Sequence, residues 1–373
     1  MTLGKIQFKR PTLLLDRLKC LHNIRMMAEK AARHNVIFRP HFKTHQSADI
    51  ADWFRDFGTD RITVSSVRMA EYFAKNGWND ITIAFPVNLA ELKEISVLAS
   101  TITLNLLVES MDVVEKMAHT LQHPVGIFIK IDAGYHRTGI DVSQHFQIFD
   151  LISFIDSKQN FQFKGLIAHN GHTYHQNSSR AILDTHNQSL TMLRKLKTFL
   201  TKNGINPILS IGDTPALSLT ENLDGVDEIR PGNFVFYDLM QHKMGVCTFN
   251  QIAVVMACPV VALHPERLEV VFYGGAVHLS KEYVNSKNNQ MLFGEVVLLN
   301  ENGWSEPIPD TYVCSLSQEH GIIRTEPEYF HYFLPGTFIG VVPVHSCLVA
   351  SMMPYIVTLE GKQLMTMSCD FKP

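Results

Sequence analysis

No two of the six cysteines, Cys20, Cys247, Cys258, Cys314, Cys347 and Cys369, stand in C-x-x-C spacing. A four-cysteine zinc site and a disulfide framework are therefore not expected, and a reduced, cytoplasmic compartment is. Long apolar runs are also missing. The longest, 252–263, is interrupted by Pro259 and is too short to span a bilayer, and the first 20 residues hold only a three-leucine run hemmed by charges, short of a secretory signal. No membrane partner is expected. Nor is there an excess of basic charge: 33 Lys and Arg against 36 Asp and Glu leave a net charge of −3, the wrong balance for a nucleic-acid partner. No internal repeat or low-complexity tract occurs, and no G-x-G-x-x-G follows the first predicted strand, which argues against a dinucleotide-binding domain.

What is present is the composition of an ordinary globular protein, 46% hydrophobic and 18% charged over 373 residues. That excludes large-scale disorder, and at about 150 residues per domain it predicts roughly two domains. Strand-like runs begin near Val36, Ile62, Ile81, Thr103, Gly126, Lys164, Pro207 and Asp227. Between them, apolar residues three and four apart predict helices over 44–56, 67–76, 89–98, 111–121, 143–157 and 179–202. Gly58, Gly77 and Gly204 stand where helices should stop. Eight such alternations are the signature of a (β/α)8 barrel, an α/β fold; six or seven would leave an open doubly wound sheet. After about Met244 the long helical patterns vanish. Strand-like runs follow at 252–263, 268–273, 291–299, 311–316, 337–344, 355–359 and 363–367, with Asn-Gly at 302–303 and Glu-Gly at 360–361 as turns. The expected organisation is a TIM barrel over 13–244 and a C-terminal mostly-β domain over 245–373, joined by residues 1–12.

In a barrel the chemistry collects at the C-terminal ends of the strands. Unusual residues do stand there: the segment from Arg39 to His45, the segment from Asp132 to Gly139, the segment from His169 to His175, Gly212-Asp213-Thr214-Pro215, and Arg230-Pro231-Gly232-Asn233. Lys43, between His41 and His45, is either a nucleophilic amine of lowered proton affinity, suited to an imine with an aldehyde cofactor, or a solvated lysine capping the next helix. Gly212-Asp213-Thr214 is either a phosphate cradle, with close backbone approach and free N–H groups, or a plain strand-to-helix turn. Arg137 is a donor to a ligand or a surface residue of a turn. His169, His172 and His175 are a metal triplet or chance clustering among 18 histidines. On a strand, His345 and Cys347 would point to one side and offer zinc two ligands; otherwise they are a satisfied histidine and a buried cysteine.

Several segments then recur in one order: Thr12-Leu13-Leu14-Leu15-Asp16, RPHFKTH over 39–45, Gly171-His172-Thr173-Tyr174, Gly212-Asp213-Thr214-Pro215, Glu228-Ile229-Arg230-Pro231-Gly232, Gln318-Glu319-His320-Gly321, and Val342-Pro343-Val344-His345-Ser346-Cys347. Covering nearly the whole chain, they resemble the fold-type III pyridoxal-phosphate enzymes, the alanine racemase-like group, and within it the D-serine dehydratase and D-threonine aldolase branch. The resemblance implies that Lys43 holds pyridoxal 5'-phosphate as an imine, with His41 among the cofactor-binding positions. Arg137 would face the pyridine nitrogen, Tyr174 would lie beside the ring, and Gly212, Asp213, Thr214 and Tyr237 would contact the phosphate. His345 and Cys347 would ligate Zn2+; the cysteine, where the aldolases more often carry Asp, favours elimination of water from a D-3-hydroxyamino acid such as D-serine to a 2-oxo acid and ammonia. Retro-aldol cleavage, racemisation and a non-catalytic cofactor carrier are the alternatives. A head-to-tail homodimer with a shared active site is also implied.

Three departures bear on the substrate. Asp213 replaces a small residue at the phosphate turn, Val344 replaces an Asn beside the metal histidine, and Phe272-Tyr273-Gly274-Gly275 lacks an acid before its glycine.

Overall fold

The computed structural model describes residues 2–3, 6–7, 9–286 and 289–370. Of residues 1–12, expected to join the strand-rich part, 1, 4, 5 and 8 lie outside that set. The chain divides into two compact units, one formed by Arg25–Lys43 and Phe54–Gly232, the other by the chain up to Ile24, Thr44–Trp53 and everything from Asn233 onward.

In the first unit, eight strands pair in parallel: Ile37–Phe38, Ile62–Val64, Asp80–Pro86, Thr103–Val108, Val125–Asp132, Phe161–Ala168, Ile208–Ile211 and Glu228–Ile229. From the second to the eighth, each neighbours the next in sequence, and the first pairs with the eighth. A parallel bridge between His41 and Thr63 closes the ring, with Phe42 N donating to Thr63 O and Thr63 N to Pro40 O, both at 2.9 Å. This is the expected (β/α)8 barrel. All eight residues of Val125–Asp132 are buried, the mark of a parallel strand covered on both faces, and the reason such strands read as continuous apolar runs rather than alternations. The intervening helices include Val67–Lys75, Met111–Thr120 and Ser179–Lys202. Ser66, Ser110 and Ser178 cap them by accepting a backbone N–H two or three residues into the helix.

Leu107, Phe128 and Ile167 form a core cluster packed by Ala84 and Ile208. A polar chain of contacts accompanies it. Arg39 Nη1 meets Asp80 Oδ1 and Arg39 Nε meets Glu228 Oε2, each at 2.6 Å. Glu228 Oε1 accepts the Ser210 hydroxyl at 2.6 Å, and Ser210 Oγ accepts Arg230 Nε at 2.7 Å. Buried charges of both signs thus satisfy one another, the condition for keeping them in a core.

The second unit carries a nine-stranded, mostly antiparallel sheet in the order Glu269–Tyr273, His320–Arg324, Tyr312–Leu316, Gly294–Val297, Phe338–Pro343, Val254–His264, Thr12–Leu15, Tyr355–Thr358, Gln363–Met365. Pro259 does not end its strand. It falls between the pairing of Val254–Ala257 with Thr12–Leu15 and that of Val260–His264 with Glu269–Tyr273, where the missing N–H costs no bond to either. The turns at 302–303 and 360–361 join short antiparallel pairs as expected.

The seventeen-residue helix Arg17–Arg33 was not among the expected elements. Its buried face, Cys20, Ile24, Met27 and Ala31, recurs at helical spacing, but a thiol and an alanine among charges make a weak apolar stripe. Among the described residues, no helix is long and apolar enough to cross a membrane.

Candidate functional site

The first barrel strand leads through Arg39 and Pro40 into the segment that carries Lys43. Phe42 anchors that segment: fully buried, its ring lies 4.9 Å from Phe54 and 5.1 Å from both Phe73 and Trp78. His41 N donates to Pro231 O at 2.8 Å, and the His41 ring accepts the Lys43 amide on Nδ1 at 3.3 Å. Lys43 is thereby held by a hydrogen-bonded neighbour and an aromatic anchor, its own side chain at a cavity mouth.

That cavity has a volume of about 300 Å³ and is lined by His41, Lys43, Lys130, Arg137, His169 and Arg230 together with apolar groups such as Leu107 and Ile167. No Asp or Glu belongs to the lining among the described residues. So many cations around one apolar-floored space select for an anion, and they perturb one another. Burial, aided by Arg230, pushes Lys130 down to about 8. Burial first, then the charges of Lys43 and Arg137, holds His169 well below the ordinary histidine value. His169 Nδ1 bonds the Gly212 carbonyl, which only accepts, so the neutral ring carries its proton on Nδ1 and leaves Nε2 as an acceptor. Arg230, its pKa lowered to about 10 by burial against the pull of Glu228, donates to Ala168 O at 2.7 Å.

Arg137 rides on a loop shaped by Asp132, which accepts the backbone N–H groups of Gly134, Tyr135 and His136 at 2.9–3.0 Å. Gly139 closes the loop at φ +113°, where an added Cβ would meet Asp132 N at 2.7 Å. The Arg137 guanidinium lies 5.0 Å from the centre of the Tyr135 ring.

Gly212, Asp213 and Thr214 form the turn into Thr214–Leu219. A Cβ on Gly212 would lie 2.9 Å from Arg230 O, so this turn packs directly on the arginine segment and only glycine fits. Tyr174, in the turn Gly171–His175, accepts Thr214 N on its hydroxyl at 3.4 Å, and Thr214 Oγ1 accepts Gly232 N at 3.3 Å. Asp213 is 4% exposed and caps its own helix, accepting Ala216 N at 2.7 Å. The barrel unit thus brings His41, Lys43 and Arg137 to one cavity, and His169 ties that cavity to Gly212, whose turn reaches Tyr174. Tyr237 belongs to the other unit, where it is buried and held at φ +48°, a region a bulky residue adopts only when its surroundings enforce it.

His169, His172 and His175 do not form a metal triplet. Their rings surround Tyr135 at 5.9, 6.1 and 6.3 Å, and His172 Nε2 is engaged by Ser189 Oγ at 3.3 Å. Among the described residues no group of three His, Cys, Asp or Glu is placed to hold a metal ion.

The strand expected for His345 and Cys347 is corrected by the structure. The strand Phe338–Pro343 ends before them, Ser346–Met352 is a helix, and His345 is its N-cap. The two side chains still meet. Burial opposes charge on His345, but the Cys347 sulfur and then Asp238 outweigh it and push the imidazole up to about 11. Thr44 Oγ1 lies 3.2 Å and Asn233 Nδ2 3.5 Å from Cys347 Sγ. An imidazole beside a sulfur is the mixed donor set zinc takes.

Sequence reading passed over Lys130 and Asp238 and gave Arg230 and Asn233 no role. Arg230 stood in one of the motifs above, and Lys130 was detectable as the cation of a mostly apolar strand. Asp238, 107 residues from His345, carried no local signal.

Residues 15–239 match the alanine racemase N-terminal domain, and residues 253–359 match a serine dehydratase domain. The D-serine dehydratase of Dictyostelium discoideum is 29% identical, over 94% of this chain and 93% of its own. An alanine racemase-like protein from Idiomarina loihiensis is 26% identical with a TM-score of 0.87, covering 97% of each chain. The D-threo-3-hydroxyaspartate dehydratase of Delftia sp. HT23 has the same fold (TM-score 0.89, 24% identity, 98% of each chain), as does a D-threo-3-hydroxyaspartate dehydratase solved as a cysteine-to-alanine mutant in the metal-free form (TM-score 0.90, 23% identity). With more than half of its length matched by that N-terminal domain, the chain belongs to the alanine racemase-like family.

Proposed function

We propose that this chain is a pyridoxal-phosphate-dependent lyase that removes water from a D-3-hydroxyamino acid, D-serine or D-threo-3-hydroxyaspartate, giving a 2-oxo acid and ammonia. The observation that carries this reading is the acid-free cationic cavity with Lys43 at its mouth. A phosphate ester with an ionised ring hydroxyl is an anion whose charge complements that cationic lining. The residues present therefore fit the cofactor.

Lys43 Nζ would hold the cofactor and, once displaced by the substrate's amine, take the proton from Cα. Arg137 would stand at the pyridine nitrogen, with His41 and Tyr174 positioning the ring and Gly212, Asp213, Thr214 and Tyr237 at the phosphate. When bound, pyridoxal phosphate supplies the electron sink that lets Cα lose its proton. His345 and Cys347 would hold zinc as the protein's share of its ligands; a D-threo-3-hydroxyaspartate dehydratase mutant solved in a metal-free form supports a metal in this branch. When bound, zinc supplies Lewis-acid activation of the β-hydroxyl. The absence of a disulfide among the described cysteines supports a reducing, cytoplasmic setting. We propose a homodimer in which a second copy completes the site.

Incubation of cofactor-loaded protein with D-serine, D-threo-3-hydroxyaspartate and D-threonine tests the assignment. Equimolar 2-oxo acid and ammonia are expected. Glycine plus an aldehyde, or the L-enantiomer, would replace elimination by aldol cleavage or racemisation, and no product at all would leave a carrier.

A further inference from the structure

We propose that Asp238 is the positioning residue of the metal pair, a single carboxylate that orients both His345 and Cys347. The inference rests on the zinc reading above. Asp238 is fully buried, and its Oδ1 is used structurally, accepting Gln241 N at 3.0 Å as the cap of Leu239–Lys243. Its Oδ2 is used otherwise. It gathers Asn233 Nδ2 at 2.7 Å, Ser346 N at 3.0 Å, His345 Nδ1 at 3.2 Å and Ser346 Oγ at 3.3 Å. A helix cap needs no such convergence of donors on its second oxygen.

The consequence for His345 follows from donor and acceptor roles. A carboxylate oxygen accepts, so His345 must present Nδ1–H to it, and Nε2 is the ring nitrogen that can offer a lone pair to a metal once it gives up its own proton. A histidine that binds a metal through one nitrogen while donating the other to a carboxylate is held in tautomer and orientation, and its basicity rises. The same carboxylate reaches the second ligand through Asn233, whose amide donates to both Asp238 Oδ2 and Cys347 Sγ. Val344, beside His345, has no side-chain donor or acceptor, and Asp238 bonds the ring from a distant segment.

Asp238→Asn tests the idea, because asparagine caps a helix as well as aspartate and keeps the volume while replacing one accepting oxygen by a donor. The readout is zinc affinity by chelator competition, with the circular-dichroism spectrum and the cofactor absorbance band followed in parallel. A loss of about 10–100-fold in zinc affinity with both spectra unchanged is expected. Zinc affinity within threefold of the parent would overturn the positioning role alone. A parent protein that binds no zinc would overturn the metal reading itself and the inference with it. Should Asp238→Asn fail to fold, nitrogen-15 spectra of histidine-labelled, zinc-loaded parent decide: a protonated Nδ1 and metal-bound Nε2 on His345 support the assignment, and a metal-bound Nδ1 refutes it.

Discussion

Asp213 Oδ1 accepts the Ala216 amide at 2.7 Å and the Thr173 hydroxyl at 3.2 Å, so the one acid in the turn beside the cavity spends its carboxylate on its own helix and on a neighbouring loop. Burial nevertheless pushes its pKa up to about 7. An acid whose folded pKa lies above its unfolded value of about 4 binds its proton more tightly when folded. Its contribution is complete below about pH 4 and is lost as pH rises through about 7. Asp213→Asn keeps the cap and removes the titration. Urea midpoints of parent and variant should diverge in the variant's favour between pH 4 and pH 7, and a constant difference across that range would contradict the argument.

Lys43 reaches the cavity from an exposed position, so its loss should spare the fold. Lys43→Ala is expected to lower turnover by roughly 1,000-fold or more, the scale for removing a nucleophile that doubles as a base. Borohydride reduction and peptide mapping should tag Lys43 in the cofactor-loaded parent and nothing in the variant.

At Gly212 a methyl group has no room, with Arg230 O 2.9 Å and Arg230 Cβ 3.1 Å from the position it would take. Gly212→Ala should therefore force the turn away from Arg230, costing about 1–3 kcal/mol of stability. Cofactor affinity should drop with it, measured by titration of the visible absorbance. A variant with unchanged cofactor binding would remove this turn from the phosphate site.

Glu228 compensates Arg39 at 2.6 Å and, through Ser210, orders Arg230. Glu228→Ala leaves Arg39 with Asp80 as its remaining carboxylate partner in a buried network. A loss of about 3–5 kcal/mol in unfolding free energy is expected from such a break. Thermal unfolding of the cofactor-free chain reads it directly.

The helix Ser179–Lys202 was legible to the residue, because a long amphipathic stripe with a serine before it and Gly204 after it leaves little choice. The helix Arg17–Arg33 escaped because three of the four apolar residues on its buried face, Cys20, Met27 and Ala31, are small or sulfur-bearing. In the site, Lys43, Gly212 and His345 were readable because each stands in a short segment of unusual composition. The error at Ser346–Met352 had a local cause. Only Val344 and His345 separate the strand Phe338–Pro343 from the helix, and the apolar residues 347–350 suit either state.

Local pattern by itself determined the strand–helix alternation, the barrel it closes into and the segments that carry reactive side chains. Those depend on neighbours a few residues apart, where periodicity and turn chemistry act. Which carboxylate faces His345, which charges crowd Lys130 and why Asp213 is tolerated were decided only by the folded chain. Each of those involves residues that the fold brings together from distant segments: Asp238 and His345 at 3.2 Å, Arg230 and Lys130 through their charges, Thr173 and Asp213 through a hydrogen bond. Local pattern does not contain those meetings.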